Sequence, residues 1–389
     1  MRYSLPKGVQ QGAAMKIKSV VVTSLRLPLK VPYMWSQGVE EAFVVNLIAM
    51  EAEDGTIGYG ETTTAPDATA QARVLDKVGR RLVGTSAFDI AASWADAYRA
   101  LFLTFGGNMP RYANQLQSGL EMAALDLQGK LLGRPVWDLL GGQRRADVGY
   151  FYFLQGESPE AIAADAAHAV SIGEPVIYLK VGVGTEHDRQ VVRRVREAIG
   201  DARLRLDANE AWDVSTAIRR LTDFAPYGIE YIEQPTTSRS IEALRRVTER
   251  SPIAIGADQA IFTLDEVYRV CATGAADMVA IGPREIGGLR GTIKAATIAE
   301  GAGLNLCIHS SMTTGISTCA EHHVGRAIPN LDDGNQIMWQ LLKEDIVECP
   351  GLTPVKGRLA LPGRPGLGFT LNQDAVARAA ELFRKQDWS

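Results

Sequence analysis

The chain has 389 residues, enough for two compact domains or for one large barrel with an accessory domain. Its apolar fraction of 46% and charged fraction of 22% are ordinary for a globular protein, and its apolar runs are too short to span a bilayer. A formal net charge of −4 gives nucleic acid or an anionic membrane no electrostatic reason to bind.

The opening stretch "MRYSLPKGVQQGAA" lacks the apolar core of a signal peptide and reads as a loose extension, with Met15 as an alternative start. Next, "IKSVVVTSLRLPL" and "VVNLIAMEAEDGTIGYGE" alternate apolar and polar residues, which predicts strands, and Asp54-Gly55 predicts a hairpin turn between two of them. Helical patterns then run through "EMAALDLQGKLLGRPVWDLLGG". These elements predict an α+β domain over residues 15–140.

From about residue 145 the character changes. Short β-rich runs ("VGYFYFL", "VIYLKVG", "LRLDAN", "IEYIEQP", "IAIGAD", "MVAIGP", "NLCIHS", "IMWQLL") alternate with amphipathic stretches such as "DRQVVRRVREAIG". The positions ending successive runs are 180, 207, 233, 258, 282 and 309, at intervals of 27, 26, 25, 24 and 27. One strand, one helix and two loops have that length, so the repeat predicts right-handed βαβ units closing as a TIM-type barrel. An open doubly wound sheet is the rival, but no GxGxxG follows the first strand. Cys271, Cys307, Cys319 and Cys349 show no CxxC spacing, so reduced thiols in a cytoplasmic protein are expected.

In such a barrel the strand ends form one rim, and the repeat places Lys180, Asp207, Glu233, Asp258, Gly282 and His309 on it. Any one carboxylate could cap the helix that follows it. Three at the same phase would repel one another without a positive partner, and oxygen ligands of this kind suit Mg²⁺, with Mn²⁺ as the alternative. Beside such an ion an amine is lowered toward ~7–8, where a neutral Lys180 can take a proton. The competing reading of Lys180 is a structural ion pair. His309 is expected on the opposite part of the circle, as a second acid or base or as a structural histidine.

With these residues in place, the chain resembles the mandelate racemase/muconate lactonizing enzyme group of the enolase superfamily. The matching stretches are "LDLQGKLLGRPVWDLLGG", "LKVG", "LDANEAW", "YIEQP", "GADQ", "IGGLRG" and "PGLG". The resemblance implies an α/β fold: a TIM-type (β/α)7β barrel over residues 141–358, capped by the N-terminal α+β domain and completed by a C-terminal segment, 359–389, that returns to the cap. It also implies Mg²⁺ held by Asp207, Glu233 and Asp258 with Asn209 behind them, and a small-molecule carboxylic acid as substrate. Lys180 then removes the proton next to that carboxylate, and the metal stabilises the enediolate. Family members are commonly dimers or octamers, which makes a homo-oligomer the expectation.

The departures from the family pattern are as informative. Tyr178 stands where a lysine flanks the base, and Gln259 where a second acidic residue is usual. On the sixth strand Gly282 replaces a base; Arg284 and Glu285, just past it, are expected on a solvated loop, with substitution for that base as the alternative. Two loops are expected over the barrel mouth, at 29–38 and 61–69, with Tyr33 and Trp35 either walling the substrate or packing the loop against the barrel; Ser310, Ser311 and Thr313 offer hydroxyls to the substrate. The lysine–histidine pair favours dehydration of a hydroxylated acid or acid sugar, with His309 protonating the departing hydroxyl. The alternatives are a racemase, epimerase or cycloisomerase of the same superfamily, and a barrel that binds metal and ligand without turnover.

Overall fold

The computed structural model describes residues 15–35, 38–63, 67–103 and 109–385. The N-terminal extension, including the choice of start, therefore lies outside the described residues, as do positions 36–37 and 64–66 in the two expected mouth loops.

Strands β1 (Ile17–Trp35), β2 (Gly38–Ala52) and β3 (Ile57–Thr63) form an antiparallel sheet in that order. The Asp54-Gly55 turn joins β2 to β3 as expected, with Gly55 at φ 87° and the Asp54 carboxylate accepting from Thr56 N–H at 2.9 Å. Of the stretch expected as a mouth loop at 29–38, residues 29–35 and 38 instead belong to the paired ends of β1 and β2, with a register shift between Pro28 and Tyr33. Helices α1 (Ala68–Leu82), α2 (Ile90–Leu101) and α3 (Pro110–Leu132) cover this sheet. Contact between α3 and β3 is unusually close: a Cβ on Gly58 or Gly60 would lie 2.1 Å from the carbonyl oxygen of Ala123 or Gly119. The alternating glycines of "IGYG" thus have a packing reason.

After α4 (Val136–Leu139), the barrel opens with β4 (Val148–Gly149) and β5 (Tyr152–Phe153), then α5 (Pro159–Ser171). There follow β6 (Val176–Lys180) with α6 (Thr185–Ile199), β7 (Arg203–Asp207) with α7 (Val214–Phe224), and β8 (Ile229–Glu233) with α8 (Ile241–Thr248). The second half comprises β9 (Ala254–Ala257) with α9 (Leu264–Thr273), then β10 (Met278–Ala280) with α10 (Pro283–Ile286) and α11 (Leu289–Gly301). Last come β11 (Asn305–Cys307) and α12 (Gly315–Ala327). Strands β5 to β11 pair in parallel, each with the next in sequence.

The expected eighth strand, "IMWQLL", is not the closing stave. That place is taken by the preceding residues, through parallel bridges Leu306–Leu331 and Tyr150–Asn335. Trp339–Leu341 forms a 3-10 turn, and Leu342 bridges to Leu29 of β1. Closure is fastened by Arg205, which is fully buried and bonds Asp332 at 2.8 Å, the Gly334 carbonyl at 2.7 Å and Glu230 at 2.8 Å. A buried guanidinium is tolerated only when its donors are matched in this way. The architecture is a TIM-type barrel with an N-terminal cap.

The chain then returns toward the cap. Strand β12 (Val347–Glu348) pairs with β14 (Thr370–Leu371), β13 (Arg358–Leu359) pairs with β4, and α13 (Gln373–Lys385) packs on β1. At "PGLG", the Leu367 N–H donates to Asp126 of α3 at 2.8 Å. No helix among the described residues is long and apolar enough to cross a membrane.

Candidate active site

The repeat read from the sequence becomes spatial register here. Lys180 pairs with Asp207 and Asp207 with Glu233 across adjacent strand ends, while Asp258 immediately follows β9. The helices that follow these carboxylates are capped by Asp213, Ser240 and Thr263, which leaves Asp207, Glu233 and Asp258 free of that task.

Asp207 is fully buried and heavily used. Lys180 Nζ and the Tyr178 hydroxyl both donate to its Oδ2, the latter at 2.7 Å, and the Asn209 N–H donates to Oδ1 at 2.7 Å. Lys180 also donates to Asn209 Oδ1 at 2.6 Å. Tyr178, which stacks on Phe151 at 4.0 Å, thus does more than stand in for a missing charge: its hydroxyl fixes the first carboxylate. Asn209 and Glu210 sit at φ 42° and 65°, a strained turn that aims the Asn209 amide at Lys180. Burial alone would push the Lys180 amine down, but the charge of Asp207 and its hydrogen bond, with the charge of Glu233, hold it above its ordinary value.

The other two carboxylates gather around His309. Its Nδ1 lies 3.1 Å from Asp258 and its Nε2 3.5 Å from Glu233, so the ring sits directly against these two carboxylates. Burial opposes the imidazolium, yet Asp258 and Glu233 hold its pKa up at about 10. Glu233 is pushed well above the usual carboxylate range by burial and by the charge of Asp207. Burial also works against the Asp258 charge, but His309, Lys180 and Arg284 keep that group below its ordinary value.

Glu233 Oε1 and Asp258 Oδ2 are buried and accept no hydrogen bond among the described residues. Ligand atoms of Glu233, Asp258 and His309 lie within 4.8 Å of one another. Oxygen atoms left unmatched in this way cost free energy unless a cation meets them, so the donor set fits a hard divalent ion.

Above this cluster a cavity of about 420 Å³ opens between barrel and hairpin. Tyr33, Trp35, Lys180, Asn209, Asp258, Gln259, His309, Ser310 and Ser311 all line it, as does Arg284. Tyr33 packs on Phe153 at 5.4 Å and is itself buried. Thr313 departs from expectation. It faces a separate, smaller polar chamber, with its hydroxyl 2.9 Å from that of Ser310. Glu40, Glu210, Phe262, Met312, Gln336 and Met338 also line the main cavity and were not singled out from the sequence. Gln336 carried a usable signal, lying just ahead of the run mistaken for the last strand; its Oε1 accepts from Ser310 N–H at 3.0 Å.

At the sixth stave, a Cβ on Gly282 would lie 2.0 Å from the carbonyl oxygen of His309. The position is closed to any side chain. Nor are Arg284 and Glu285 on a solvated loop: they belong to α10, and Glu285 is buried with Oε2 accepting the Gly282 N–H at 3.0 Å. Gly282 before it, Pro283 as its first residue and Gly287 after it made the tetrapeptide read as a loop. On the cap side, Glu61 of β3 accepts the Thr314 and Ser317 N–H groups at 3.0 and 2.9 Å, at the start of α12 just after His309.

The comparisons with known proteins bear on the fold and the family. Residues 161–375 match the family described as enolase C-terminal domain-like, and residues 17–141 the mandelate racemase/muconate lactonizing enzyme N-terminal domain. Muconate cycloisomerase 1 of Pseudomonas putida is 30% identical over 94% of this chain and 98% of its own length. Hydrophobic dipeptide epimerase of Enterococcus faecalis is 28% identical over 90% of this chain and 96% of its own. The crystal structure of muconate lactonizing enzyme from Pseudomonas fluorescens in complex with muconolactone superposes with a TM-score of 0.87 at 29% identity, covering 94% of this chain and 99% of that one. This chain belongs to the mandelate racemase/muconate lactonizing enzyme group of the enolase superfamily.

Proposed function

We propose that this protein is an isomerase that transfers a proton at the carbon next to a substrate carboxylate, with Lys180 as the base. The observation that carries the reading is the pairing of one cavity-facing amine with a buried carboxylate cluster, opposite a sixth stave on which Gly282 admits no side chain. Racemisation through two bases needs a titratable group on each face of the carbon, whereas cycloisomerisation needs only one. Cycloisomerisation is therefore the form this geometry supports best, and the cycloisomerase relative points the same way. Dehydration, the reading favoured by the lysine–histidine pair, loses ground because both ring nitrogens of His309 lie against carboxylates.

Asp207, Glu233 and Asp258 would hold Mg²⁺ or Mn²⁺, which supplies charge to meet the negative charge that builds on a substrate carboxylate as the proton leaves. Asn209 and Asp207 orient the Lys180 amine, while Tyr33 and Trp35 of the hairpin shelter the reacting carbon from water. Incubating candidate acids with the protein and Mg²⁺ in D₂O tests the reading. A label at the α-carbon of a ring-closed or ring-opened isomer, with no water lost, is the expected result. A label in recovered, inverted acid would make the protein an epimerase, loss of water a dehydratase, and no exchange with any acid a binding protein.

A further inference from the structure

Three cations line the main cavity, and two of them are already engaged: Lys180 by Asp207 and Asn209, and His309 by Asp258 and Glu233. Arg284 is the third. Its Nε donates to Glu285 Oε1 at 2.6 Å, and its two terminal nitrogens have no hydrogen-bond partner among the described residues. The mount is rigid: Glu285 is 1% exposed and anchored on the Gly282 N–H, and the ring of Phe262 lies 5.6 Å from the guanidinium carbon. Helix α10, which carries Arg284, follows the stave opposite the one that ends at Lys180. Ser311 lines both the main cavity and the smaller polar chamber, as Arg284 does.

We propose that Arg284 is a specificity-determining residue that receives a second carboxylate, at the far end of a substrate whose first carboxylate sits at the Glu233–Asp258 edge. The inference rests on the isomerase reading for the reacting end of the molecule only. A guanidinium held by one nitrogen presents its remaining N–H groups as a planar fork, the geometry that matches a carboxylate in bidentate fashion. A hydroxyl or an amide would match only part of it. Glu40, on the hairpin side of the same cavity, is the group that would instead read a cationic end.

The test is binding by titration calorimetry in the presence of Mg²⁺, using α,ω-dicarboxylic acids of increasing chain length and the mono-amide of each. Wild-type protein is expected to prefer the diacid over its mono-amide by about tenfold or more, the scale of one charge-assisted bidentate contact. Arg284→Met should bring that ratio close to one, and Arg284→Lys should keep part of it. Equal binding of both compounds by wild type, or a ratio untouched in Arg284→Met, overturns the assignment. So does preference for an acid with a distal ammonium, which would move the reading role to Glu40. Thermal unfolding of both variants confirms the fold, and Arg284→Lys keeps the test valid should the methionine variant be unstable. Assaying wild-type protein for turnover of the same acids separates the two proposals: a diacid preference without turnover of any acid supports Arg284 while sinking the isomerase reading, and turnover without the preference does the reverse.

Discussion

The backbone carbonyl of His309 stands where the side chain of residue 282 would have to begin, 2.0 Å from an ideal Cβ on Gly282. The sixth and seventh staves therefore meet backbone to backbone at the rim. Gly282→Ala is expected to lower stability by about 1–3 kcal/mol, the range for overpacking a close contact, and to displace His309. Urea unfolding and the rate of α-proton exchange measure the two effects. An alanine variant as stable as wild type would mean that the staves can part and that a base could be accommodated there.

Lys180 touches Asp207 and Asn209 and faces the cavity, so its loss should remove proton transfer and spare the fold. Lys180→Met is expected to slow α-proton exchange at least ~10²-fold, the usual contribution of a general base. Its circular dichroism should match wild type. Retained exchange in this variant would hand the base role to another group.

The unmatched oxygens of Glu233 and Asp258 should make the protein more stable when Mg²⁺ is present. At a hundredfold excess over its dissociation constant, an ion that binds only the folded state adds about 2.7 kcal/mol. A differential scan with Mg²⁺ and then with EDTA should show a higher melting temperature with the ion. Asp258→Asn should shrink the difference. No shift in wild type would count against a cation at these residues.

His323 gives a prediction about acid. Its Nδ1 accepts the Trp137 N–H at 3.1 Å, its ring stacks on Trp137 at 4.5 Å, and burial pushes its pKa from 6.5 to about 3. The folded state thus holds the ring neutral while the unfolded chain takes a proton, so this contribution is complete above pH 6.5 and falls away toward pH 3. The slope is at most about 1.4 kcal/mol per pH unit. Asp345, raised by burial to about 7, acts in the opposite sense over much of the same window. The quantity to compare is therefore the change in stability between pH 7 and pH 5 in wild type and in His323→Gln, and the variant should lose less. Equal losses would mean that the ring is already charged in the fold.

The rim was legible because each strand–helix unit returns the chain to the same edge, so phase alone picked out Lys180, Asp207, Glu233, Asp258 and His309. The Asp54-Gly55 turn was legible because its residue types permit few other conformations. The closing stave was not. In "NLDDGNQI" the side chain of Asn335 takes over ladder bonds, accepting from Ile308 N–H at 2.6 Å and donating to the Gly149 carbonyl at 2.8 Å, so no apolar alternation marks it. The place of His309 among the carboxylates escaped too, because it depends on ring orientation and not on position along the repeat. Thr313 was misplaced for a similar reason: its hydroxyl turns to Ser310.

One contact limits how such a protein can acquire new chemistry. Because Glu61 accepts hydrogen bonds from the Thr314 and Ser317 N–H groups at the start of α12, the sheet that carries it is a structural part of the loop that begins at His309. A barrel expressed without its N-terminal half would leave those amides bare and the histidine unmoored. Grafting a foreign cap would succeed only if the graft brought an equivalent acid to the same spot. Substrate range should therefore drift through the outer reaches of the hairpin, where Trp35 sits, and not through wholesale exchange of modules.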